Sequence, residues 1–189
     1  MVTKDIFPVG ATASFSSFKN YSASLWDGNI GGFGYELGGK LIYNADFNNP
    51  WGYNLHTNYN NFWGSFINGS INWYDAFGAQ WLKIDFSKGF LTPQTKYGGG
   101  LNIGWIHDHY EIYTADTSVS GMFKTNYQNI WLGRSFLLGD KKSRNNIIVS
   151  ARYEREEFEL RPYINADSNV SFHNKNIYYA KVGYSKINF

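Results

Sequence analysis

The 189 residues contain no cysteine, only four prolines, a formal charge of just +2 and 17% charged residues. Without cysteine there is no disulfide framework and no thiolate zinc, redox or nucleophile site. A charge so near balance gives no argument for nucleic acid, an acidic substrate or a polybasic membrane patch as partner. No stretch approaches the ~18–20 consecutive apolar residues of a membrane helix. No charged segment followed by an apolar one opens the chain, so any secretory signal is expected to have been removed.

What is abundant is aromatic: 15 Tyr, 15 Phe and 7 Trp make up 20% of the chain, beside 20 glycines. That is too much apolar surface for disorder. Strands favour aromatics, and turns favour Gly and Asn, so the composition predicts an all-β protein of one domain over residues 1–189. Few Lys and Glu beside so many aromatics suits a barrel whose outer wall meets lipid, with aromatic girdles at the headgroups.

Alternation carries most of the signal, because successive side chains of a strand point to opposite faces. Phe33, Tyr35, Leu37, Leu41 and Tyr43 alternate with Gly34, Glu36, Gly38, Lys40 and Asn44. Similar rows run through residues 67–74, 82–87, 101–105 and 147–154, with weaker ones through 11–18, 21–26, 53–63, 127–138 and 178–189. About ten strands result. The strand charges Glu36, Lys40, Lys83, Asp85, Arg152 and Glu154 all fall opposite the aromatic rows. In a water-soluble sandwich that face would be solvated; in a transmembrane barrel it would line the lumen. Of the odd-numbered connections, those near residues 44–50, 107–126 and 155–176 are long and polar, whereas the even ones are short to moderate. This is the asymmetry of outer loops and periplasmic turns. The expected fold is therefore an antiparallel up-and-down transmembrane β-barrel of about eight to ten strands, or part of a larger one. No interspersed helix is expected.

Residues 21–44, with Asp27-Gly28-Asn29-Ile30-Gly31-Gly32-Phe33-Gly34 between two strands, resemble the early barrel strands of the bacterial surface antigen superfamily. That superfamily comprises outer-membrane assembly factors and two-partner secretion transporters. Asp85-Phe86-Ser87-Lys88-Gly89-Phe90-Leu91-Thr92 and the glycine-rich stretch at 96–104 are similar to its next strand end and strand. The resemblance covers roughly the first 105 residues and implies the N-terminal portion of such a barrel. It also implies a bacterial outer-membrane location and a role in inserting or translocating proteins, with the strand at 9–18 at the lateral gate. Its implied partners are the lipid bilayer, unfolded outer-membrane or secreted client proteins and other barrel subunits. The chain departs from the family in having no POTRA module ahead of Pro8 and no Arg-Gly dipeptide. The C-terminal Phe189 fits either a terminal recognition strand or the end of a truncated one, since its in-phase row (Ile187, Ser185, Gly183, Lys181) is poor while Tyr178, Ala180, Val182 and Tyr184 form the better one.

Two clusters bear chemistry. His107, His109 and Glu111 would share one side of a strand, as ligands of a divalent metal must, and Asp108 beside His109 has the makings of an acid–base pair. Polar residues where a strand leaves the membrane account for them more simply. The run Arg152-Tyr153-Glu154-Arg155-Glu156-Glu157 reads as a lumenal charge ladder entering a loop. Gly98-Gly99-Gly100 is no phosphate loop, because no Lys-Ser/Thr follows. The expectation is accordingly no enzyme, no cofactor and no catalytic or metal residue. A small self-contained barrel with a structural, adhesive or pore role is the second reading, and an outer-membrane hydrolase using His107, His109 or Glu111 the third.

Overall fold

The structure, a computed structural model, describes residues 8–90, 95–113, 118–138, 143–161 and 172–188. These residues form one ten-stranded antiparallel sheet in which every strand pairs with the next in sequence. The strands are β1 (Val9–Ser17), β2 (Asn20–Asp27), β3 (Tyr35–Asn44), β4 (Trp51–Tyr59), β5 (Asn68–Ala76), β6 (Ala79–Lys88), β7 (Tyr97–Tyr113), β8 (Ser118–Leu138), β9 (Ser143–Leu160) and β10 (Lys175–Asn188). The all-β, up-and-down expectation holds. Closure into a barrel is not formed: β1 and β10 are opposite margins of an open sheet. A meander pairs only consecutive strands, whereas closure needs one contact spanning the whole chain, the costliest in loop entropy.

Two further expectations change. The long loop placed at 107–126 is largely strand, since β7 and β8 pair out to Tyr113 and Ser118; of the one placed at 155–176, residues 155–160 and 175–176 are strand and 162–171 lie outside the described residues. Alternation continues there with polar residues, and a paired ladder satisfies backbone groups whatever the side chains. The strand placed at 53–63 ends earlier, at Tyr59, where Asn61 adopts a left-handed conformation. Residues 91–94, 139–142 and Phe189 lie outside the described residues.

Tight turns explain the register. Phe77 and Gly78 link β5 to β6 with φ of 56° and 83°, the paired positive values of a type I′ hairpin. The β2–β3 and β4–β5 connections share one design that the sequence reading did not separate. Asn29 Oδ1 accepts the Gly34 N–H at 2.8 Å, and Asn61 Oδ1 accepts the Phe66 N–H at 2.7 Å, each five residues on. Both turns expose rings at their tips, Phe33 and Trp63.

Cross-strand glycines make room for rings. Across the strands, Gly10 faces Trp26, Gly100 faces Trp131 and Gly104 faces Tyr127. An added Cβ at Gly104 would sit 2.3 Å from the Tyr127 ring, and one at Gly100 2.3 Å from Trp131 Nε1. The rings therefore occupy the space a side chain would fill. Gly104→Val is expected to cost about 1–3 kcal/mol by overpacking. Gly28→Ala, whose nearest neighbour is an ordinary 3.5 Å away, should be near neutral. Urea midpoints of the folded protein check both.

Candidate functional site

Pairing sorts the side chains into two faces. On one, each strand contributes aliphatic residues with rings at their ends: Tyr35, Leu37, Leu41 and Tyr43 on β3; Trp51, Tyr53, Leu55 and Tyr59 on β4; Tyr97, Leu101, Ile103 and Trp105 on β7; Tyr178, Ala180, Val182 and Tyr184 on β10. These rings line up as two rows. One row, on the side of the β1–β2 turn, holds Tyr21, Tyr43, Trp51, Trp73, Trp105, Tyr153 and Tyr178; the other holds Tyr35, Tyr59, Phe86, Tyr97, Phe136 and Tyr184. Tyr43 stacks on Tyr21 at 4.6 Å and meets Trp51 edge-on at 4.9 Å.

Nothing covers this face. Among the described residues the only buried hydrophobic side chains are Ala76 and Ala79, while thirty large hydrophobic ones are exposed, Leu132 at 69% and Val182 at 73%. A sheet with no second layer has no core of its own, and an apolar surface this wide demands an apolar partner.

The rows run obliquely to the hydrogen bonds. Tyr35, in the second row on β3, is in register through Tyr59, Gly69, Phe86, Leu101, Ile130 and Tyr153 with Tyr178, which is in the first row on β10. Tyr43 and Tyr35 are eight residues apart, so from β3 to β10 the first row slips eight residues over seven strand steps, while the second, from Tyr35 to Tyr184, slips six.

The opposite face is polar, and its charges find partners. Glu36 Oε1 lies 3.1 Å from His56 Nε2 and accepts from Asn58 at 3.2 Å. Asp85 accepts from Asn102 at 3.0 Å. Arg152 donates from Nε to Glu154 at 2.8 Å and to Asn129 at 2.9 Å. Beside them a depression of about 490 Å³ is lined by Trp131, Ser150, Arg152, Glu154, Tyr179 and Lys181. The separation of rings from charges is incomplete, because Trp26, Tyr74, Trp81, Tyr127, Trp131 and Tyr179 share the polar face. Three of them pack over cross-strand glycines, and Lys83 sits 4.6 Å over Trp81. Arg134 and Lys88 instead lie at the margin of the apolar face, where Arg134 is sandwiched between Tyr97 at 5.5 Å and Phe136 at 4.8 Å. A long cation at such a margin keeps its stem apolar and its head wet.

His107, His109 and Glu111 do share one side of β7, beyond Trp105 and opposite Lys124, Met122 and Ser120. Consecutive members of such a row are about 6.6 Å apart along the strand. Among the described residues no group of three or more His, Asp or Glu is placed to hold a metal ion. Asp108 reaches His109 through the backbone, accepting its N–H at 2.7 Å. Next to the first ring row, Arg155 is bonded to Glu157, which raises the guanidinium above its usual pKa and keeps it charged. Gly98, Gly99 and Gly100 lie within paired strand.

Compared with known proteins, the chain matches no family model, no curated protein and no solved structure. Zinc titration of the folded protein should give the same weak response as the His107→Ala/His109→Ala variant; a saturable site lost in the variant would show that the row gathers around a metal.

Proposed function

We propose that the chain is wall of a bacterial outer-membrane β-barrel, and that its unpaired β1 margin serves the insertion or translocation of proteins. The observation that carries the membrane reading is the uncovered aliphatic band edged by two oblique ring rows. Six to eight residues of about 3.3 Å rise against seven spacings of about 4.8 Å give a strand tilt of roughly 30–38°, reaching the ~35–45° of membrane barrels. At the larger tilt the rows on β3 are about 21 Å apart in height, near the ~25 Å apolar band of an outer-membrane barrel. Tyr and Trp belong at both edges of such a band. The polar face then encloses a wet lumen, where paired charges are tolerated.

The protein-handling role rests on β1. Its apolar row is Val9, Ala11, Ala13 and Phe15, and its polar row Gly10, Thr12 and Ser14, with Thr12 and Ser24 hydroxyls 2.5 Å apart. Small side chains hold a strand weakly, and a free margin offers backbone groups to an incoming strand, the β-augmentation mode. This fits the resemblance of the first 105 residues to assembly and secretion barrels. The second reading is a self-contained barrel of structural, adhesive or pore role, which the antiparallel directions of β1 and β10 among the described residues permit.

Leu132→Arg, in mid-band on the apolar face, should cost about 2–4 kcal/mol and block insertion into vesicles, whereas Ser150→Arg on the polar face should insert normally. Photo-crosslinkers at Thr12 and Ser14 are expected to capture client strands in membranes; their failure in an inserted, active protein would remove the assembly role. A chain monodisperse in buffer without amphiphile would remove the membrane itself.

A further inference from the structure

We infer that the two open margins are each other's partners: β10 pairs with β1 of the same chain, closing the ten strands with a stagger of ten to twelve residues. The inference rests on the membrane-barrel reading and says what occupies the β1 margin at rest.

Three observations carry it. First, ten strands in an unbroken meander leave β1 and β10 running antiparallel, so their margins are compatible without a crossover. Second, the ring rows fix the offset. Slips of six to eight residues in seven steps extend to roughly nine to eleven over ten strands, a usual stagger for a closed barrel of this size. Only even offsets keep the apolar row of one strand beside that of the next, which puts ten inside that range and twelve at its upper edge. Third, the side chains at those offsets are complementary. At ten, Val182 lies beside Ala13, Tyr184 beside Ala11 and Gly183 beside Thr12. At twelve, Val182 lies beside Phe15, Tyr184 beside Ala13 and Gly183 beside Ser14. Val182, Tyr184 and Phe15 are among the most exposed apolar residues, at 73%, 64% and 65%, and a Cβ at Gly183 would meet nothing within 4 Å. At ten, bulk on β10 faces small residues on β1; at twelve, Tyr184 faces Ala13 while Val182 packs on Phe15.

The bend is in the right sense. Gly10, Gly38, Gly100 and Gly104 all lie on the polar face, each under a cross-strand ring of Trp26, His56, Trp131 or Tyr127. Missing side chains on one face let the sheet curl toward it, which carries β1 and β10 toward one another around the lumen.

Because the chain has no cysteine, a disulfide can form only where one is introduced. The full chain, folded in detergent, is oxidised as Thr12→Cys/Gly183→Cys and as Ser14→Cys/Gly183→Cys, with Thr12→Cys/Ser70→Cys as a same-face control. Most of one of the first two pairs should form a bond within a single chain, seen as a faster, reducible monomer band, while the control stays reduced. A bond only between chains would overturn the inference in favour of a second copy. No bond in protein that is folded by protease resistance would overturn it in favour of other strands at the margin. Should the variants fail to fold, hydrogen exchange on the unaltered protein decides. Closure predicts β1 and β10 amides protected to within about tenfold of β5, and a deficit of about 100-fold or more refutes it. A chain that needs detergent yet does not crosslink loses closure alone; one that needs no detergent loses the membrane reading.

Discussion

Everything in this molecule depends on strict period-two alternation held in register over ten strands. The register is pinned at four described connections: a two-residue turn between β1 and β2, a type I′ turn between β5 and β6 and Asn-capped turns after β2 and β4. A slip of one residue in any strand would put Lys40 or Asp85 among leucines and leucines among charges. The same constraint creates the unusual energetics. A single sheet with one aliphatic face has no layer to pack against, so the stability a domain normally takes from its core must come from whatever covers that face.

Fold class was legible in the sequence because alternation is a local property. Residues 33–44 announce both faces of β3 without reference to anything else, and strand number followed from counting such rows. Strand ends were less legible. At Asn61 and Phe66 the backbone takes positive φ with non-glycine residues, and only the spacing of Asn29 to Gly32 and Asn61 to Gly64 hints that two turns share one form. The extensions of β7 to β9 were hidden because His107, His109 and Glu111 look like loop composition, whereas backbone pairing is indifferent to side-chain polarity.

The site was legible only in part. Rings and charges separate in one strand's sequence, but the oblique rows exist only across strands: that Tyr35 and Tyr178 lie on one line requires seven pairings. Most of the rings on the polar face were given no face by the alternation for a related reason. Trp26 and Trp131 look like membrane-facing aromatics until their cross-strand partners prove to be glycines. There a ring fills a neighbour's missing side chain instead of meeting an external phase.

The strength of pairing varies around the sheet in a way that bears on the proposed role. Between β3 and β4 the apolar-face partners include Tyr35 with Tyr59, Leu41 with Tyr53 and Tyr43 with Trp51; between β1 and β2 they include Ala11 with Leu25 and Ala13 with Ala23. Cross-strand pairs of large side chains contribute roughly 0.2–1 kcal/mol each over alanine pairs, so β1, whose one pair of rings is Phe15 with Tyr21, is held less firmly by side chains. A seam joining β1 to β10 adds the longest loop closure in the chain to that weak strand. Of the interfaces around a closed ring it is therefore the one that parts at least cost, and it parts without disturbing the aromatic stacks elsewhere. An incoming strand would compete with β10 for the same backbone groups of β1, and the side chains it sets opposite Ala11 and Ala13, against Tyr184 and Val182 of β10, would decide the exchange.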